Sequence, residues 1–266
     1  MNCAQLESVV LPSTYLGTLG AEAFYNCVKL KSIVIPDGVT AFECYDKTED
    51  GDWTWTSATF KNCTALESVT FGKSLTDLGY YAFENCVSLK EADMSQTNLW
   101  ALGDYVFKNC TSLESVSLPM DTGYFDFGCD TFVGCINLSG SIDVPYGWMY
   151  GGVFKGCTKI TEVHIVDGMG EYDNWNYDSE GEKWEGGGNF AGWTSEQSIY
   201  FDYATWEELF YDYYGFIDED PWCYPFLDSE ALAFDCEGNQ LIYDNELFSV
   251  VKVVSPEGET LWEYGD

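Results

Sequence analysis

The chain has 266 residues, 46% hydrophobic and 17% aromatic, so it can bury a full core and has no disordered character. It carries 45 acidic residues against 11 basic ones, all lysine, for a formal net charge of −34. That charge repels phosphate backbones and anionic lipid heads, so nucleic acid and membrane surfaces are poor partners. No run approaches the ~18 consecutive apolar residues of a membrane helix, and no basic-then-apolar secretory signal opens the chain. The charge is uneven: residues 1–166 hold 20 acids and 9 lysines, whereas 167–266 hold 25 acids and 2 lysines, which marks the last hundred residues as a different surface.

In chain order, the first element is a cut repeat, Cys3, Leu6, Val9, Leu11 and Pro12, so further sequence is expected upstream of Met1. The full unit follows: Phe24 and Cys27, then Leu30, Ile33, Ile35 and Pro36. It recurs from Phe60 and Cys63, from Phe83 and Cys86, from Phe107 and Cys110, from Phe132 and Cys135 (with one extra residue before Ile142), and from Phe154 and Cys157. Each Leu-x-x-Ile-x-Ile reads as a short strand whose alternation turns two apolar side chains inward and one residue outward. A proline just after the strand ends its pairing, because it has no N–H to give. One coil of this length cannot bury both its faces alone, so coils stack around a shared core. Gly20, Gly79, Gly103 and Gly128, four positions before the Phe, suit a tight turn or a close backbone approach.

Two intervals break the period. Residues of about 41–57 (Tyr45, Asp50-Gly51, Trp53, Trp55) and about 168–188 (Tyr177, Glu180-Gly181, Trp184) each read as a β-hairpin insertion with an acidic turn. Phe190 to Phe201 is a closing coil in which Trp193 stands where the Cys belongs and Glu196 where the Leu belongs. The repeat then ends. Thr205-Trp206-Glu207-Glu208 resembles a capping box and opens a helix over about 205–214. Two hairpins follow, turning at Glu237-Gly238-Asn239 and at Pro256-Glu257-Gly258, and are expected to cover the open end of the stack. The expected division is 1–201 solenoid and 202–266 acidic C-terminal cap.

The seven periodic cysteines, Cys3, Cys27, Cys63, Cys86, Cys110, Cys135 and Cys157, place one thiol per coil, which suits a small buried hydrophobe better than a disulfide framework. The total of 11 is odd, no Cys-x-x-Cys occurs and there is a single His, so zinc is not expected.

The Ala-Phe-x-Asn-Cys-x-x-Leu-x-x-Ile-x-Ile-Pro unit resembles the BspA-like class of leucine-rich repeats. The matching segments include Ala23-Phe24-Tyr25-Asn26-Cys27, Ala82-Phe83-Glu84-Asn85-Cys86 and Val106-Phe107-Lys108-Asn109-Cys110. The resemblance covers about residues 2–201. It implies a β-dominated α/β repeat, a curved solenoid with short parallel strands on its concave face. It also implies a secreted or surface-anchored protein of a host-associated microbe, often adhesive. The hairpins and the acidic C-terminal region depart from the plain pattern.

The concave face is the natural binding surface of a solenoid. Its outward column reads Val10, Val34, Thr70, Asp93, Ser117, Asp143, His164 and Tyr200, and a second column reads Ser8, Ser32, Ser68, Glu91, Ser115, Ser141, Glu162 and Ser198. Hairpin aromatics Trp53, Trp55, Trp175 and Trp184 could stack on sugars or anchor a protein, or else pack back onto the solenoid. The run Asp46 to Asp52 mimics a calcium loop but has Ser57 where the bidentate Glu belongs, and Asn174 to Glu180 lacks the Gly; solvated turns are the default and no metal or other cofactor is expected. There is no nucleophile elbow, phosphate loop or metal motif, so the chain is not expected to be an enzyme. The expectation is a monomeric extracellular recognition module for a host or microbial surface protein or glycan; the alternatives are a structural spacer and a carbohydrate-active enzyme.

Overall fold

The computed structural model describes residues 3–14, 17–43, 45–47, 53–55, 57–145, 147–149, 151–166, 188–202, 204–211, 229–244 and 249–264. Each coil contributes a short strand to a parallel row: Ser32–Val34, Ser68–Thr70, Glu91–Asp93, Ser115–Ser117, Ser139–Val144, Lys159–Ile165 and Ser198–Phe201. The register keeps like positions together, with Val34 opposite Thr70, Asp93 opposite Ser117, and Asp143 opposite His164, itself opposite Tyr200. The register slips at Gly140–Ser141, where the sequence carries its extra residue.

A second row of very short parallel strands runs along another side of each coil. Gly17–Leu19 pairs with Val39–Phe42, bridges link Ala41, Asp77 and Ala101, and Ala101–Leu102, Phe125–Phe127 and Gly147–Met149 form a sheet. The remaining side is made of turns carrying the repeat's Phe, Cys and Asn.

These turns are held by columns of identical contacts. Phe24, Phe60, Phe83, Phe107, Phe132, Phe154 and Phe190 stack face to face, with centroids 5.0 to 6.1 Å apart. From the third coil on, each buried thiol donates to the carbonyl of the Phe one coil earlier: Cys63 to Phe24, Cys86 to Phe60, Cys110 to Phe83, Cys135 to Phe107 and Cys157 to Phe132, at 3.1 to 3.3 Å. The nine described cysteines are all free, as the small-hydrophobe reading expects. Trp193 takes the vacated place in the closing coil, and its indole N–H donates to Phe154 O at 3.0 Å. Asn62, Asn85 and Asn109 donate to the side-chain oxygens of Asn26, Asn62 and Asn85 in turn. These asparagines have φ of 57 to 63°, a conformation Asn tolerates because its side chain bonds locally.

The repeating glycine divides in two. A Cβ at Gly128 would lie 2.4 Å from Asp104 N, and one at Gly103 2.6 Å from Gly79 C, so bare backbone is needed where coils touch. Gly20 differs from the expectation: a Cβ there would meet only the end of the Glu43 side chain, at 3.6 Å, because few atoms face it at this end of the stack. Gly128→Ala is therefore expected to cost about 1–3 kcal/mol in urea denaturation, and Gly20→Ala nothing or a slight gain.

The short helix is Trp206–Tyr211. Thr205 N donates to Glu208 Oε2 at 2.8 Å and Glu208 N to Thr205 Oγ1 at 3.4 Å, the reciprocal pattern the sequence suggested. The buried Asp235 carboxylate accepts from Trp206 N and from Asn239 N, tying the helix start to the following turn. Leu232–Phe234 pairs in parallel with Ser198–Phe201 and continues the main row; Gln240–Asp244, Ser249–Val254 and Thr260–Glu263 follow as an antiparallel meander in the same sheet. The Tyr45–Lys47 and Trp53–Trp55 strands pair antiparallel. The second expected insertion, about 168–188, lies outside the described residues apart from its last position. Among the described residues no helix is long and apolar enough to cross a membrane.

Candidate functional site

In every coil the middle residue of the strand faces the core. Ile33, Ala92, Val116, Ile142, Val163 and Ile199 are buried. Alternation then forces their neighbours outward. Val34, Thr70, Asp93, Ser117 and Asp143 are exposed and His164 and Tyr200 half-buried, so the whole predicted column shares one face. The second column, Ser32, Ser68, Glu91, Ser115, Ser141, Glu162 and Ser198, runs beside it. Trp53 and Trp55 lie on the second strand of the paired insertion, but their side chains, like Trp175, Trp184 and the acidic runs 48–52 and 174–180, lie outside the described residues.

Aromatic rings stack along the C-terminal third of the face. His164 stacks on Tyr200 with centroids 4.8 Å apart and planes 13° from parallel, and Tyr200 stacks on Phe234 at 5.2 Å and 16°. The spacing follows from strand separation: rings in register on adjacent strands must meet face to face. Phe234 and its neighbour Leu232 escaped the sequence reading because they lie past the repeat. Leu232-Ala233-Phe234 nevertheless copies the outward–inward–outward pattern of Glu91-Ala92-Asp93 and could have been aligned with it.

His164 is held from both sides. Its Nδ1 lies 2.7 Å from Asp202 Oδ2 and its Nε2 3.5 Å from Glu162 Oε2, while Asp143 faces it from the adjacent strand. Burial opposes the charged ring, but the bond and charge of Asp202, with Glu162 and Asp143 behind them, outweigh it and raise the pKa above 6.5. A raised histidine adds stability that is fully present below its unfolded value and is lost as pH rises through the folded one. We expect an NMR titration of the His164 ring to give a midpoint above 6.5, moving down in Asp202→Asn; a midpoint unmoved by that substitution would show that Asp202 does not set it. Both ring nitrogens face carboxylates, so neither is turned to a serine or cysteine nucleophile. Among the described residues no group of His, Cys, Asp and Glu is arranged to hold a metal ion.

A second set of polar side chains lines the turns. Tyr81 and Tyr105 stack at 4.9 Å, Lys61 Nζ sits 4.6 Å over the first ring and Lys108 Nζ 4.4 Å over the second. Burial pushes the Asp104 and Asp130 carboxyls up to about 6. Stability from their protonated forms is present below 3.8 and is lost as pH rises through about 6. Asp130→Asn, at a position with φ 50° that Asn accepts, is expected to raise the melting temperature near neutral pH and to leave it unchanged in acid below the carboxyl's ordinary range. An equal effect at both pH values would refute the buried-charge account.

The parallel strand row, the one-per-coil Phe and Cys columns and the buried Leu and Ile positions define a leucine-rich-repeat solenoid. The BspA type Leucine rich repeat region matches residues 1–46 and 55–161 in 6 copies. The chain belongs to that family. A crystal structure of a T. pallidum leucine rich repeat protein is 27% identical, with a TM-score of 0.49, over 60% of this chain and 72% of that one. A leucine-rich repeat protein from Bacteroides ovatus is 20% identical, with a TM-score of 0.40, over 74% of this chain and 57% of that one. No curated protein matches the chain.

Proposed function

We propose that the chain is a non-catalytic, adhesin-like recognition module, displayed at the cell surface or secreted, that binds a host or microbial surface protein or glycan on the concave face of its solenoid. The column Val34, Thr70, Asp93, Ser117, Asp143, His164 and Tyr200 is the proposed contact surface, and the hairpin aromatics Trp53, Trp55, Trp175 and Trp184 are the alternative one. Residues 1–201 act as the solenoid and 202–266 as its C-terminal cap, in a monomer without a cofactor. The observation that carries the reading is that outward side chains from successive coils share one open face that ends in the aromatic row His164, Tyr200 and Phe234. Membership of a repeat family built on such faces supports it.

The test is a screen of the purified chain against arrayed glycans and host matrix proteins at physiological salt, with Tyr200→Ala and Asp143→Ala alongside. A ligand bound by the parent and lost in a folded column variant is the expected result. A blank screen would favour a spacer, and a bound ligand indifferent to every column position would sink the assignment of this face.

A further inference from the structure

The aromatic row offers less ring face than its composition suggests. Tyr200 is covered on one face by His164 and on the other by Phe234, both nearly parallel to it. Sugar rings are recognised by aromatic rings largely through exposed faces, and the central ring here has none to give. What the row presents outward is a line of ring edges, polar at His164 and at the Tyr200 hydroxyl and apolar at Phe234. On the next strand Gln240 lies opposite Phe234, and the exposed Ile242 stands one outward position further along, so an apolar side chain is available diagonally to the row. Lys252, opposite Ile242, is already paired with Glu263 at 3.3 Å.

The other flank is acidic. Asp143 is exposed one rung from His164, and Glu162 and Asp202 hold the two His164 nitrogens at the row's end. Even with His164 charged, three carboxylates surround one cation. A chain with a net charge of −34 adds a long-range attraction for cations. Three carboxylates sharing a single imidazole leave a net negative flank beside the rings, which is complementary to a basic protein segment and opposed to an anionic one.

We propose that the partner of this face is a cationic protein segment whose Lys or Arg side chains meet Asp143, Glu162 and Asp202 while an apolar side chain rests on the edges of His164, Tyr200 and Phe234. The proposal rests on the recognition reading above and narrows it to one partner chemistry. Rungs about 4.8 Å apart across the sheet, and outward positions about 7 Å apart along a strand, match the alternation of an extended peptide laid on the face.

The experiment is fluorescence anisotropy with three short labelled peptides at about 150 mM salt, where bare long-range attraction is screened. One alternates arginine with leucine, one arginine with serine, and one glutamate with leucine. The first is expected to bind about tenfold more tightly than the second, and the third not at all. Asp143→Asn with Glu162→Gln should weaken the first peptide about tenfold, and Tyr200→Ser should remove its advantage over the serine peptide. Glu7→Gln with Asp121→Asn removes the same charge at exposed positions outside the last coils and should change binding less than about twofold. Far-UV circular dichroism checks each fold, and Asp143→Lys serves as a second, exposed variant that should abolish binding. Equal loss from the distant pair, or equal binding of the glutamate peptide, overturns the proposal. A glycan hit that depends on Tyr200 also overturns it, yet leaves the recognition reading standing. Indifference of every bound ligand to every column substitution removes this proposal and the assignment of the face together, whereas a chain that binds nothing removes the recognition reading itself.

Discussion

Phe107→Ala is expected to lower unfolding free energy by about 3–5 kcal/mol, the range for truncating a fully enclosed aromatic. The ring is fully buried and sandwiched by Phe83 at 5.5 Å and Phe132 at 5.6 Å, with planes 5° and 2° from parallel. Neither neighbour can fill the gap by turning, because each is itself clamped in the stack. The loss also falls on two coil interfaces at once. In a chain of coils stabilised by nearest neighbours, weakening a middle interface splits the cooperative unit. The urea transition should therefore broaden or divide, with a lower apparent m-value, as well as move. Phe24→Ala makes the comparison: that ring is half-buried and has one stacked neighbour, Phe60 at 5.0 Å, so about half the loss and no splitting are expected. Equal losses at the two positions would mean that the stacks do not couple the coils.

Trp193→Ala should be comparably severe, about 3–5 kcal/mol, because the indole is 1% exposed and packs edge-on against Phe190 at 5.0 Å. Trp193→Phe separates packing from hydrogen bonding. It keeps most of the apolar volume and removes the N–H given to Phe154 O. That oxygen still accepts from Cys157 N at 3.0 Å, so one acceptor site empties while the carbonyl stays bonded. The expected cost is about 1 kcal/mol. A loss from Trp193→Phe as large as from Trp193→Ala would shift the weight from packing to the bond. Both variants are measured by urea melts followed at a probe other than tryptophan emission.

The coils were legible because each makes the same steric demand. Phe, Cys, Leu and Ile recur where a stack needs a ring, a small donor and two inward aliphatics. Trp193 could be read as an end-of-stack residue from sequence; that its N–H would inherit the thiol's acceptor could not, since that depends on where Phe154 O points. The second strand row was missed because its strands are only two to four residues long: the inward Leu19, Phe42, Leu102, Phe127 and Met149 are all buried and apolar, but the outward Thr18, Ala41, Asp77, Ala101 and Asp126 vary. The same holds for Glu22, Ala58, Tyr81, Tyr105 and Asp130, all at φ of 44 to 61°. The outward columns followed from alternation alone. The aromatic row did not, because Phe234 joins it only through a strand pairing formed more than thirty residues beyond Tyr200.

The thiol column has one more consequence. Cys86, Cys110 and Cys135 are wholly enclosed, bonded to a carbonyl and raised well above their ordinary pKa by burial, so a thiol reagent meets them only when their own coil opens. Cys3 and Cys236 are exposed and need no opening, although burial and neighbouring carboxylates raise the Cys236 thiol and slow it. Timed alkylation read out by peptide mass would therefore record the order in which the solenoid unzips, coil by coil, from probes already built into the wild-type chain.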